Sequence, residues 1–217
     1  MDPYLTVHGP RYEVLVEKVR ELAPASPHIL VVGAAYEAEG LRRLPAVVDS
    51  LGLGDERFPP GEGERHVPFD LRQAERSELW PELGPYDVVV CAEVVEHLSI
   101  SALHPLRLFA AALRPGGWLV LQTPNAARMG NRLLLLAGRN PFEPLREDSA
   151  SPGHFREYTV DELLELARRA GFEVGGWLTA NYFVTGTRRN EVLRRLGPFV
   201  PRRLRAGITA WLRKPVI

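Results

Sequence analysis

The stretch Tyr86 to Leu98, YDVVVCAEVVEHL, constrains the fold more than any other part of the chain. Val88, Val89 and Val90 form a β-branched run with no polar alternation, which suits a short strand covered on both faces. Glu93, Glu96 and His97 then follow at i, i+3 and i+4. A helical turn after Ala92 would gather both carboxylates and the imidazole on one face. Open α/β sheets keep their chemistry at the carboxyl ends of their strands, so this spot is the first candidate site.

The rest of the chain alternates strand and helix patterns. Tyr12 to Leu22 carries apolar residues at Val14, Leu15, Val19 and Leu22 between charges, as an amphipathic helix does. Ile29 to Val32 reads as a buried strand leading to Gly33, Glu37 to Leu44 as a short helix, and Ala46 to Val48 as a strand ending at Asp49. Leu51 to His66, rich in Gly, Pro and charge, is expected to be a long loop. Further strands are expected at Val67 to Leu71, Val88 to Cys91, Trp118 to Gln122, Phe172 to Trp177 and Gly207 to Arg213. Helices are expected at Leu103 to Leu113, Ala126 to Ala137 and Val160 to Ala170, the last opened by a capping box of Thr159 and Glu162. This alternation predicts a three-layer α/β fold with a mostly parallel sheet.

At 217 residues, 45% hydrophobic and 25% charged, the chain can bury one substantial core, and a single domain over 1–217 is expected. Its one cysteine, Cys91, excludes an internal disulfide framework and fits a reducing cytoplasm. At a strand end, Cys91 reads first as a small buried thiol and second as a nucleophile. The opening MDPYLTVHGP lacks the basic start and apolar run of a signal peptide, so export is not expected. The longest aliphatic run, Leu133 to Leu136, falls far short of the roughly 20 residues that span a bilayer. Formal charge is zero overall, yet Arg188 to Ile217 holds nine basic residues against Glu191 alone, a local charge of +8. Such a segment is either a solvated face or a contact for an anionic membrane surface, phosphate or nucleic acid.

Four blocks in order, ILVVGAAYEAEG, VVDS, YDVVVCAEVVEHL and LRPGGWLVLQTPN, resemble a class I S-adenosylmethionine-dependent methyltransferase. TPNAARMGNRLLLLAGRNPF and GHFREYTVDELLELARRAGF are similar to bacterial members that act on polysaccharide, lipid or other small acceptors. The resemblance implies a Rossmann-like, seven-stranded sheet of order 3-2-1-4-5-7-6 with an antiparallel strand seven. It also implies an N-terminal helical part over 1–27, a cofactor-binding half over 28–125 and an acceptor-side half over 126–217. By the same resemblance Gly33 lets backbone approach the methionine end of S-adenosylmethionine, Asp49 accepts the ribose hydroxyls, Asp70 accepts the adenine amino group, and Ala92 and Glu93 flank the sulfonium. Gly33 has its own physical reason, since a side chain there would block a close backbone approach. The first block departs from the family: Val31 stands where an acidic residue is usual, and Ala35 and Glu37 where glycines are. Those side chains narrow the loop and keep open a noncatalytic scaffold that retains the fold.

An E-x-x-E-H segment after strand four holds a divalent metal in RNA 3′-terminal ribose methyltransferases and in some ubiquinone-pathway O-methyltransferases. Glu93, Glu96 and His97 match it, and His154 occupies a comparable downstream position. Mg²⁺, Mn²⁺ or Zn²⁺ suits such ligands. Without metal, His97 or His154 is a candidate general base. Asn125, Arg156 and Tyr158 are candidates for the acceptor side, against a Pro124–Asn125 turn for the first and a surface pair with Glu157 or Glu162 for the second. The expected activity is O-methylation of a small-molecule or saccharide-like acceptor. An RNA 2′-O-methyltransferase is the metal-dependent alternative, disfavoured because no appended RNA-binding module is recognisable.

Overall fold

The structure is a computed structural model, and it describes residues 3–33, 36–54, 56–147, 153–181 and 200–216, with side chains from residue 9 onward. Its sheet has seven strands: β1 (His28–Val32), β2 (Val47–Gly52), β3 (His66–Pro68), β4 (Tyr86–Ala92), β5 (Leu113–Pro124), β6 (Glu173–Ala180) and β7 (Gly207–Arg213), in the order β3-β2-β1-β4-β5-β7-β6. The strands β2–β1–β4–β5 and β3 pair in parallel, whereas β7 runs antiparallel to both β5 and β6. This is the topology that the resemblance implied.

The valine run explains why the sheet is covered on both sides. Successive side chains of a strand point to opposite faces. Val88 and Val90 therefore join Ile29, Val31 and Val48 in a core under α1 (Pro3–Leu22) and α2 (Tyr36–Leu41), which contribute Leu15, Val19, Ala38 and Leu41. Val89 and Cys91 join Leu30, Val32, Leu119 and Leu121 in the larger core, covered by α3 (Leu103–Ala112) and α5 (Val160–Arg169) through residues such as Phe109 and Leu163. Full burial pushes the Cys91 thiol up, which removes it as a nucleophile.

Three boundaries differ from expectation in ways that matter. The first helix starts at Pro3 and runs through Pro10, bringing Arg11 into a regular helix. Strand β2 continues to Gly52, so Asp49 sits inside it, paired in register with Leu30. The helix α4 (Met129–Leu136) is shorter than its apolar sequence and buries only Asn131.

Candidate functional site

A cavity of about 590 Å³ opens at the carboxyl ends of β1 and β4, walled by Gly33, Glu37, Ala92, Glu93, His97 and His154, with Arg11 closing it from α1. Gly33 has φ +70°, and a Cβ there would stand 3.1 Å from Val94 Cγ2, so both backbone conformation and space favour glycine. Where β4 ends, Glu93 adopts φ +55°, a left-handed conformation uncommon for a residue with a side chain. The chain reverses there and continues as a single 3-10 turn, Val95–His97. This corrects the expectation that Glu93, Glu96 and His97 share one helical face. Glu93 instead pairs with Arg11 at 3.1 Å, an ion pair between α1 and the turn after β4 in which Arg11 is buried and Glu93 half-buried.

The cleft beside Gly33 is strongly acidic. Burial pushes the Glu37 carboxyl up to about 7, against the pull of its own backbone hydrogen bond and of Arg11. Burial also raises Glu93, again opposed by Arg11. A cationic ligand seated here would lower both and be stabilised in turn. Tyr36, between the two residues that depart from the family, packs edge-on to Phe58 at 5.0 Å and near Tyr12. Ala34 and Ala35 lie outside the described residues. Gly33, the acidic pair and a guanidinium thus form a donor and acceptor set that fits an amino acid moiety carrying a cation.

On the acceptor side the fold answers what sequence spacing could not, because His154 does return to His97. The backbone carbonyl of Glu96 accepts from the amides of Phe155 and Arg156 at 2.8 and 3.2 Å, which fastens the downstream loop to the 3-10 turn. The two imidazoles meet edge to face at 4.7 Å, and one ligand atom each from Glu96, His97 and His154 lie within 4.8 Å of one another. His97 Nδ1 lies 3.0 Å from the carbonyl of Gly153, which only accepts, so Nδ1 carries the proton and Nε2 keeps its lone pair. His154 Nδ1 lies 3.2 Å from Glu157 Oε1, with the same consequence. Thr123 Oγ1 donates to Glu96 Oε2 at 3.0 Å, while Glu96 Oε1 and Glu157 Oε2 are buried with no hydrogen-bond partner among the described residues. Burial and the neighbouring Glu93 push the Glu96 carboxyl up to about 8. Burial lowers His97, whereas the bond to Glu157 raises His154. The orphaned Glu96 Oε1 and two oriented ring nitrogens form a donor set that fits a divalent cation, which would bring the raised Glu96 carboxyl back down. Glu93, engaged by Arg11, is outside that set.

Several expected site residues stand elsewhere. Asp49 does not reach the cavity. Its carboxylate accepts from Tyr86 Oη at 2.9 Å and from the Arg65 amide at 2.8 Å, with His28 Nε2 at 3.0 Å, and both His28 and Tyr86 open their strands at the amino edge of the sheet. The strand continues past it to Gly52, so the carboxylate expected at the ribose lies away from the cavity. Asp70 does follow β3, but its carboxylate caps the next turn and is held by Arg72 through contacts of 2.8 to 3.0 Å. Asn125 spends its buried side chain on backbone, donating to the carbonyls of Arg203 and Arg205 and accepting from Ala127. It forms a turn and lacks an open acceptor contact. Arg156 pairs with Glu162 at 2.8 Å, and both Arg156 and Tyr158 line a separate groove beside Leu98 and Leu166. In the basic C-terminal segment, Arg188, Arg189, Arg194 and Arg195 lie outside the described residues. Of the others, Arg203 pairs with Asp161, Arg205 bonds backbone carbonyls and Lys214 bonds that of Leu113.

Arg11 and Glu157 are the residues that sequence reading missed. Arg11 has no local signal, since its partner is remote in sequence, whereas His154 and Glu157 stand at a legible i, i+3 spacing.

The methyltransferase domain family matches residues 11–175. A probable S-adenosylmethionine-dependent methyltransferase of Mycolicibacterium smegmatis is 36% identical over 110 residues, covering 51% of this chain and 37% of its own. The ubiquinone biosynthesis O-methyltransferase of Bordetella avium is 30% identical over 120 residues, covering 55% of this chain and 48% of its own. The chain therefore spans less than half the length of the curated relatives it matches. Among solved structures, the 1,6-didemethyltoxoflavin-N1-methyltransferase of Burkholderia thailandensis, bound to S-adenosylhomocysteine, superposes with TM-score 0.58 at 18% identity over 95% of this chain and 77% of its own. The [4+2]-cyclase SpnF superposes with TM-score 0.60 at 17% identity, over 94% of this chain and 81% of its own, so the fold alone leaves the chemistry open. With the family match covering most of its length and the sheet order in agreement, the chain belongs to the methyltransferase domain family and has the class I, Rossmann-like fold of S-adenosylmethionine-dependent methyltransferases.

Proposed function

We propose that this protein methylates an oxygen of a small or saccharide-like acceptor, with S-adenosylmethionine as donor. The observation that carries this reading is that one cavity joins the pocket beside Gly33, with Glu37 and Glu93, to His97 and His154, behind which the buried Glu96 lies within ligand distance of both. S-adenosylmethionine supplies a methyl group on a cationic sulfur. Gly33 gives its methionine end a backbone wall, Arg11 faces its carboxylate, and Glu37 and Glu93 face its ammonium and sulfonium charges. Ala92, the small residue that ends β4, leaves the path between pocket and cluster open.

The two histidines act on the acceptor. His97, fixed by Gly153 through Nδ1, points its Nε2 lone pair toward the proton of an acceptor hydroxyl, and partial desolvation favours its neutral form. The Glu157 carboxylate orients His154 and stabilises its charged form, which makes the pair a relay for that proton. Alternatively, Glu96, His97 and His154 would hold Mg²⁺, Mn²⁺ or Zn²⁺, which would supply Lewis acidity that lowers the hydroxyl pKa, so that the proton could pass to solvent. Most of the rate comes from holding donor and acceptor in line.

Calorimetric titration with S-adenosylhomocysteine tests the donor site: saturable binding that Gly33→Val abolishes supports it, and no binding at millimolar ligand leaves a scaffold. Electron paramagnetic resonance of added Mn²⁺, with His154→Ala as control, separates the metal from the base.

A further inference from the structure

We propose that α4 and the turn after it seat the protein on an anionic lipid bilayer, beside the mouth of the cavity. The helix carries four consecutive leucines, of which Leu133, Leu135 and Leu136 are 58%, 56% and 85% exposed. In the segment that follows, Phe142 and Leu145 are also exposed. An apolar helix face ordinarily closes a core, but both faces of this sheet are already covered, and among the described residues no leucine of α4 joins either core. Exposed apolar surface of this density marks an interface.

Charge identifies what covers it. Arg128, Arg132, Arg139 and Arg146 are interleaved with these apolar residues, against Glu143 and Glu147 as the acidic residues of the segment. Guanidinium groups pair with phosphate oxygens while leucine side chains enter the acyl boundary, the arrangement of an interfacial helix. A second copy fits less well, because a two-fold contact through this patch would bring the same arginines of both chains together. The patch is also continuous with the site, since Arg128, Pro141 and Arg146 line the cavity. On the functional reading above, the acceptor would then be amphiphilic, its polar end in the cavity and its hydrocarbon in the membrane; the docking itself does not depend on that reading.

The test is co-sedimentation of the full chain with vesicles of phosphatidylglycerol and phosphatidylcholine, and in parallel with phosphatidylcholine alone. The expected result is partitioning onto the anionic vesicles that falls roughly tenfold or more in a Leu133→Ser, Leu135→Ser, Leu136→Ser variant. Arg132→Glu with Arg139→Glu should weaken it several-fold and flatten its salt dependence. Far-ultraviolet circular dichroism checks that each variant is folded, and S-adenosylhomocysteine affinity, measured separately, reports on the donor site. No binding to anionic vesicles, equal binding by folded leucine variants, or a wild-type dimer that the leucine substitutions dissociate in the centrifuge would each overturn the proposal.

Discussion

The two ends of the sheet are built from the same residue types and differ in one respect. At the amino edge, Asp49 meets Tyr86, His28 and the Arg65 amide, and both its oxygens are taken. At the carboxyl edge, among the described residues, Glu96 meets Thr123 with one oxygen and nothing with the other, and Glu157 has a second orphan. Buried polar atoms are normally satisfied, so a group left open beside a cavity is a functional signal where a closed network is a structural one. Carboxylate, imidazole and aromatic composition does not separate the two; saturation does.

The largest effect expected from breaking this contrast is on turnover. His97→Ala or His154→Ala should lower kcat by about 10² to 10⁴, the range for losing a positioned base, with little change in urea stability. Asp49→Ala should do the reverse, costing about 3 kcal/mol because Tyr86 and the Arg65 amide lose a charged acceptor in a buried setting. Affinity for S-adenosylhomocysteine, measured by calorimetry on the folded protein, should stay as it was. A drop in that affinity would return Asp49 to the donor site.

Glu37 sharpens the contrast through pH. Its carboxyl is held near 7 in the folded protein against an ordinary value of 4.5, so between those values the unfolded chain releases this proton while the folded one keeps it. The folded state then binds more protons, and stability falls as pH rises from about 4.5 to 7, by on the order of 3 kcal/mol from this group, and levels off above. Glu37→Gln should remove that slope in urea melts at pH 5 and pH 8. Bound S-adenosylhomocysteine, whose ammonium compensates the charge, should reduce the slope in the wild type.

How far the sequence could see follows from the range of each interaction. The continuous apolar run of Val88 to Cys91 is local, and it placed a central strand of the sheet correctly. Gly33 was legible for the same reason, since a sharp turn after a buried strand asks for glycine. The geometry after β4 was not, because helical spacing predicts helical faces only if the backbone is helical, and Glu93 turns left-handed. Asp49 was placed at the end of β2 by a strand boundary three residues short: the strand runs on to Gly52 and leaves the Asp49 carboxylate with His28 and Tyr86 toward the amino edge. Arg11 and the meeting of His97 with His154 depend on contacts between remote segments, which spacing cannot encode.

Thr159 marks the smallest expected effect and the limit of the comparison. Its hydroxyl accepts from the Glu162 amide while the Glu162 carboxylate accepts from the Thr159 amide at 2.9 Å, a capping box legible in TVDE. Thr159→Ala should cost about 1 kcal/mol in thermal or urea unfolding. The loop bearing His154 enters α5 through Tyr158, but its anchor is the Glu96 carbonyl, outside the cap. Mn²⁺ and S-adenosylhomocysteine affinities should therefore remain unchanged in this variant. A matching loss of Mn²⁺ affinity would show that the helix start, and not the 3-10 turn after β4, holds the histidines together.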